Sequence, residues 1–216
     1  SVIRRSENSE IFCGVDGKVY KTGKYVAVES DMLKKLQNLL PRPCVRLLAS
    51  DSTSLCFEAG EDVRGLENLD LKTMAEQIFW HIYQLHKAGV VHCDVKPGNI
   101  LCVNGFFVLS DFDSAREWVG GQNHPSGRRC TFAFADSALV EVGSPWDWDL
   151  EGLFWTVVFL VARARAGDGW RSSMWEKRTE LALKVRLDPP DGLGWFLTGQ
   201  AGKKKTCKIG HPSELA

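Results

Sequence analysis

The sequence predicts an α+β protein in two lobes, a reduced β-rich lobe followed by a helical one. Three observations predict it. Residues 1–58 hold several short strand-like runs and a single helix-like one. Ala59-Gly60 then breaks the pattern. Beyond that break the apolar residues recur mostly at helical spacing, around one polar stretch that contains a hairpin, VHCDVKPGNILCVNGFFVLSDFD.

In chain order, residues 10–15 and 18–22 read as two strands, joined at Asp16-Gly17, a strong hairpin turn. Over 26–40 the apolar residues Val28, Met32, Leu33, Leu36, Leu39 and Leu40 predict an amphipathic helix. Pro41 and Pro43 end it. Residues 45–49 and 55–58 read as strands around the polar turn Ser50-Asp51-Ser52-Thr53. A long helix follows over 71–88, with Leu71, Met74, Ile78, Ile82 and Leu85 as its buried stripe and Gly89 as its C-cap. Strands at 100–103 and 106–109 meet at Asn104-Gly105, the most favourable two-residue hairpin turn. Residues 114–127 are polar and glycine-containing, the pattern of a mobile loop. A helix starting near Asp149 carries Leu150, Leu153, Phe154, Val157, Val158 and Val161 nearly all round, so it is expected at the centre of the second lobe. A further helix is expected over 175–187, and a disordered tail over 201–216. The division is 1–58, 59–200 and 201–216.

Composition narrows the functions available. Lys+Arg and Asp+Glu both number 27, giving a formal net charge of zero. That excludes a nucleic-acid binder working through bulk charge. The seven cysteines are Cys13, Cys44, Cys56, Cys93, Cys102, Cys130 and Cys207. They are scattered and form no CxxC pair, so they read as reduced thiols of an intracellular protein, cytoplasmic or nuclear. The opening SVIRRSENSE has no apolar run and is not expected to be a signal peptide. A start on Ser1 is expected of a fragment or a processed form. The longest largely apolar run, 152–162, falls short of the ~20 residues a membrane span needs.

The chemistry lies in the polar stretch. Asp94, Asn99 and Asp111 are close in sequence without helical spacing. One carboxylate can orient a hydroxyl nucleophile, while an amide and a second carboxylate can hold magnesium through hard oxygen ligands. Taken singly, each candidate has a plainer reading. Lys21 reads as a solvated surface charge, Glu29 as an exposed helix residue, Asp111 as a strand-end turn residue and Asp149 as a helix N-cap. Cys93 reads as a packing residue, because a catalytic thiol also needs a partner base. The combination HCDVKPGN, an apolar hairpin and Asp-Phe is what sets those readings aside.

HCDVKPGN resembles the catalytic loop of eukaryotic-type protein kinases, and DFD resembles their magnesium-binding DFG. The resemblance runs from about Cys13 to Arg163, with the elements in the family's order, and identifies a small, divergent Ser/Thr-kinase-like chain. It implies a bilobal protein-kinase-like fold, ATP and Mg2+ as cofactors and a protein substrate as partner, with no nucleic acid and no membrane. It implies no oligomeric state. By position, Asp94 would be the base that accepts the substrate hydroxyl's proton, and Lys96 would neutralise charge on the γ-phosphate. Asn99 and Asp111 would hold the metal. Lys21 would pair the α- and β-phosphates, with Lys24 a poorer competitor after Gly23. Glu29 would orient that lysine. Phe57 would back the adenine pocket, with the hinge at Glu58 to Gly60. His92 would pack under the loop near Phe112, and Asp149 would brace the loop from below.

The sequence also departs from the family. There is no GxGxxG loop, and the chain ahead of Gly14 looks too short and polar to supply a first strand with its loop. Lys21 and Glu29 are unusually close in sequence, which puts their ion pair in question. Cys93 replaces the arginine of HRD, implying activity that needs no loop phosphorylation, and Asp113 replaces the glycine of DFG. Thr131 and Phe134 fit the segment after the loop, but Asp136-Ser137-Ala138 stand where Ala-Pro-Glu is expected. Transfer of the γ-phosphoryl of ATP to Ser or Thr is the leading reading, favoured by Lys96. A pseudokinase scaffold is the second. A small-molecule kinase of the aminoglycoside- or choline-kinase type is the third.

Overall fold

The structure, a computed structural model, describes residues 1–40, 44–118, 131, 134 and 145–166. The readings at Pro41, Pro43, Cys130, Cys207 and 136–138, the loop beyond 118, the helix at 175–187 and the tail lie outside them.

The first lobe is an antiparallel sheet with one helix. Its strands are β1 (Val2–Arg5), β2 (Ser9–Cys13), β3 (Val19–Gly23), β4 (Leu47–Ser50) and β5 (Ser54–Phe57), with α1 (Val26–Leu39) inserted after β3. The sheet order is β1-β2-β3-β5-β4. The β2-β3 turn forms as expected at Asp16-Gly17, with Gly17 at φ +75° and Lys18 N donating to Asp16 Oδ1 at 3.1 Å.

Two expectations are corrected. The segment ahead of Gly14 does supply a first strand, β1, paired along β2. It escaped notice because all four of its residues are exposed, so it carries no apolar alternation. The buried face of α1 is also rotated from the predicted stripe. Val26, Glu29, Ser30, Leu33 and Leu36 are buried, whereas Val28 and Leu39 are more than half exposed. A charged residue on the inner face is invisible to hydrophobic periodicity.

After Glu58 the chain forms β6 (Glu61–Asp62), α2 (Leu71–Lys87), β7 (Val90–Val91), β8 (Ile100–Val103), β9 (Phe106–Leu109), β10 (Arg116–Glu117) and α3 (Pro145–Ala166). Asp70 caps α2 by accepting from Thr73 N at 3.0 Å. Gly89, at φ +73°, follows the Ala88 cap and turns the chain out. The β8-β9 hairpin closes at Asn104 and Gly105, both left-handed at φ +51° and +82°. That mirror-image turn suits the twist of the paired strands. β6 adds to β8, and β10 pairs with β7. The helix α3 begins at Pro145 rather than near Asp149, so Asp149 lies inside the helix and not at its cap.

One apolar core joins both lobes, from Leu33 and Leu36 of α1 through Leu55 and Phe57 to Ile78, Ile82, Leu109, Phe112, Leu153 and Val157. The fully buried Phe112 contributes about 1.5–3 kcal/mol by leaving water. Val45 N donates to Leu109 O at 2.8 Å, tying the segment after α1 to the hairpin. Among the described residues no helix is long and apolar enough to cross a membrane.

Candidate active site

The loop between β7 and β8 is held by one buried carboxylate. Asp149 of α3 accepts from His92 N and Cys93 N, each at 2.8 Å, and from His86 Nε2 at 2.9 Å. Those two amides face the helix because Cys93 takes a left-handed conformation, φ +68°, which is uncommon outside glycine. His92 is fully buried. Its Nε2 donates to Ser110 O at 3.1 Å and its Nδ1 accepts from Asp94 N at 3.3 Å, which assigns the neutral Nε2–H tautomer. Its ring meets Phe112 edge to face, with centroids 4.7 Å apart.

Asp94 is thereby projected into a polar cluster. Its Oδ1 accepts from Thr131 N at 2.9 Å, and its Oδ2 accepts from Asn99 Nδ2 at 3.1 Å and from Lys96 Nζ. Lys96 Nζ also donates to Thr131 Oγ1 at 2.8 Å. Asn99 Nδ2 donates a second bond to Asp94 O at 2.9 Å. The other amide atom, Asn99 Oδ1, is buried without a hydrogen-bond partner among the described residues. Leaving an acceptor dry and unpaired costs about 1–3 kcal/mol, so this lone pair is one that a cation can relieve.

Across the cleft Lys21 bridges two carboxylates. Its Nζ lies 2.6 Å from Glu29 Oε2 and 2.5 Å from Asp111 Oδ1. The short Lys21–Glu29 spacing is therefore compatible with the pair, because β3 runs almost directly into α1 and both side chains turn inward. Burial pushes the Lys21 ammonium down, but Glu29 and Asp111 together outweigh it and raise its pKa. Burial works against the Asp111 carboxylate too, and Lys21 overrides it to hold Asp111 below the usual range. Burial raises Glu29. Glu29 Oε1 also accepts from Phe112 N at 3.0 Å, so one glutamate fixes both the lysine and the strand end. Asp111 is left-handed, φ +65° and ψ +67°. Asp113 avoids the positive-φ region, donates no strain to the turn, and accepts from Ser114 Oγ at 3.0 Å. Burial first, and then the Asp111 charge, raise its pKa. Lys24, the competing lysine, lies instead over the Tyr25 ring, 5.5 Å from its centroid.

Lys21, Asn99 and Asp111 open onto a cavity of about 500 Å³ between the lobes, whose far wall includes Phe57, Glu58 and Gly60. The volume is that of a small-molecule site. The Glu58 carboxylate turns back to accept from Arg46 N at 2.9 Å. Gly60 is needed for close approach, since a Cβ there would lie 2.8 Å from Val103 Cγ2. A second cleft adjoins the cavity and holds Asp94, Lys96, Asp113 and Thr131. Every site residue expected from the sequence thus lies on one continuous depression. Arg4, Asp62 and Arg64 line the cavity as well and were not expected. Arg4 belongs to the overlooked strand. Asp62 and Arg64 form an ion pair just past the hinge.

Comparison with known proteins agrees with this geometry. Residues 48–144 match the protein kinase domain family. The chain is 36% identical over 93 residues to the serine/threonine-protein kinase RUNKEL of Arabidopsis thaliana, covering 39% of this chain and 7% of that protein. It is 40% identical over 52 residues to the serine/threonine-protein kinase cds1 of Schizosaccharomyces pombe, covering 24% and 11%. It is 27% identical over 103 residues to the probable serine/threonine-protein kinase MRK1 homolog of Encephalitozoon cuniculi, covering 47% and 31%. These matches span between 7% and 31% of the relatives' own lengths. Residues 48–144 are thus similar to the protein kinase domain family, and the fold that holds them is bilobal and α+β.

Proposed function

We propose that the chain is an ATP-dependent protein kinase that phosphorylates Ser or Thr. The observation that carries this reading is the convergence of Asp94, Lys96, Asn99 and Thr131 on one side of the cleft with the Lys21, Glu29 and Asp111 set on the other. Adenine would enter against Phe57 and the hinge at Glu58 to Gly60. Lys21, oriented by Glu29, would meet the α- and β-phosphates. Asp94 would accept the proton of the substrate hydroxyl as that oxygen bonds to the γ-phosphorus. The bond from the γ-phosphorus to the bridging oxygen breaks, and ADP leaves. Lys96 would offset charge on the transferred group.

Among the described residues no group of three or more His, Cys, Asp or Glu side chains is arranged to hold a metal. The unpaired Asn99 Oδ1 and the Asp111 carboxylate nonetheless suit magnesium, which commonly takes few protein ligands and completes its shell with phosphates and water. Bound there, it would supply charge neutralisation to the phosphates. We divide the chain at the hinge, with residues 1–58 as a first lobe and 59–200 as a second. The described cysteines Cys13, Cys44, Cys56 and Cys102 are free thiols, which supports an intracellular setting.

A pseudokinase is the competing reading, favoured by the glycine-free turn between β1 and β2. Transfer from radiolabelled ATP to generic protein substrates separates the two, with the wild type run beside Asp111→Ala. The kinase reading expects label on Ser or Thr from the wild type and its loss in the variant. A wild type that binds Mg-ATP but transfers no label is a pseudokinase.

A further inference from the structure

The turn between β1 and β2 covers the cleft where a kinase needs phosphate donors, yet it has little backbone to offer. Its Ser6 N donates to Ser9 O at 2.8 Å, and Ser9 N donates to Ser6 Oγ at 3.1 Å. Its Asn8 carbonyl is pinned by Lys24 N at 3.0 Å, directly over Gly23, where a Cβ would lie 2.3 Å from that oxygen. A turn closed on itself and on β3 has no glycine with which to lay free amides along a triphosphate.

A side chain lies where those amides are missing. The register of β1 slips by one residue, so Val2 faces Phe12 while Arg4 faces Ile11. A bulge of this kind re-aims side chains, and here the consecutive residues Ile3 and Arg4 both line the cavity. Arg4 also lines the adjoining cleft with Asp94 and Lys96. It therefore stands at the passage from the hinge-side cavity to the loop, the path that a triphosphate must take. The other cations on that path are already engaged, Lys21 by Glu29 and Asp111, and Lys96 by Asp94. Among the described residues no ion pair engages Arg4, whereas the neighbouring Arg5 is paired with Glu10 at 2.6 Å.

We infer that Arg4 binds the β- and γ-phosphates of the nucleotide, doing with one guanidinium what a glycine-rich loop does with backbone amides. The inference rests on the nucleotide-binding reading above. A guanidinium presents paired donors that match phosphate oxygens, so a single side chain can make a bidentate contact. Arg4 is exposed on an edge strand, and its replacement removes no core contact.

Calorimetric titration of the chain with Mg-ATP and, separately, with adenosine tests this. Arg4→Ala is expected to weaken Mg-ATP by roughly 10–100-fold while leaving adenosine unchanged. Arg4→Lys should recover part of the loss, and Arg5→Ala, one residue along, should change neither ligand. Unchanged Mg-ATP affinity in Arg4→Ala overturns the inference and leaves the kinase reading standing. So does an equal loss for ATP and adenosine. A wild type that binds neither ligand overturns the nucleotide reading itself, and this inference with it.

Discussion

Asp149 is the residue on which the loop geometry depends. Its carboxylate is fully buried and is the acceptor for two backbone amides that point away from water. Asp149→Ala leaves both amides unpaired and is expected to cost about 2–6 kcal/mol, at about 1–3 kcal/mol for each buried orphan, read as a lower urea midpoint. Asp149→Asn keeps an acceptor oxygen and should lose less. Cys44 offers a test of burial. Its thiol is pushed up to about 12, by burial first and then by the Glu58 charge. The folded state keeps the proton that the unfolded chain releases above the ordinary value of 9.0. Stability from this group is therefore full below pH 9 and falls as pH rises toward 12. Urea unfolding across that window should fall less steeply in Cys44→Ala than in the wild type. At this scale the sequence was most legible where polar residues are dense. HCDVKPGN announces itself because its polar residues lie close together without helical spacing. Arg4 and Asp62 were silent, since lone charges beside a turn look the same whether they face solvent or a cavity.

The elements differ in how far they could be read. The β8-β9 hairpin agrees with its expected bounds because Asn104-Gly105 leaves one register for the strands. The two long helices were found from their stripes, though α3 starts earlier than Asp149, because an aspartate just ahead of an apolar run resembles a cap. The strand β1 was missed, and α1 was found but rotated, for the same reason. Each turns charged residues toward the cleft, so function overwrites the hydrophobic period. The contact between α3 and the loop is close enough to test. A Cβ at Gly152 would lie 2.6 Å from the Val95 carbonyl and 2.9 Å from Val95 Cβ. Backbone cannot yield as a flexible side chain does, so Gly152→Ala must push the loop off the helix. It is expected to cost about 1–3 kcal/mol, the usual range for overpacking. It should also lower phosphoryl transfer more than Mg-ATP affinity, because Val95 adjoins Asp94 and not the hinge. Equal effects on both would mean that the helix supports the fold without setting the loop.

At the scale of the molecule, the described parts of the two lobes share an apolar core and meet along a cleft, so the pieces of the site come from distant parts of the chain. Lys21 and Asp111 are 90 residues apart in sequence and 2.5 Å apart in space. The order of elements was legible from patterning. The closure that brings β3, α1 and the loop together was legible only through the family resemblance, because no local signal reports a contact of that range. The departures also become clearer together. Cys93 stands where an arginine would receive a phosphorylated loop, and it is buried beside Val91 and Trp148 in a small apolar cluster. Glu29 holds Lys21 and Phe112 N at once, so α1 is already docked without any phosphate. A chain built this way is expected to need no prior phosphorylation. The most direct measurement is phosphoryl transfer from saturating Mg-ATP to a Ser/Thr protein substrate, comparing dephosphorylated wild type with Asp94→Ala. The account predicts transfer by the wild type and a loss on the order of 10²–10⁴ in the variant, with Mg-ATP still bound. Transfer by Asp94→Ala at the wild-type rate, or none by the wild type, would contradict it.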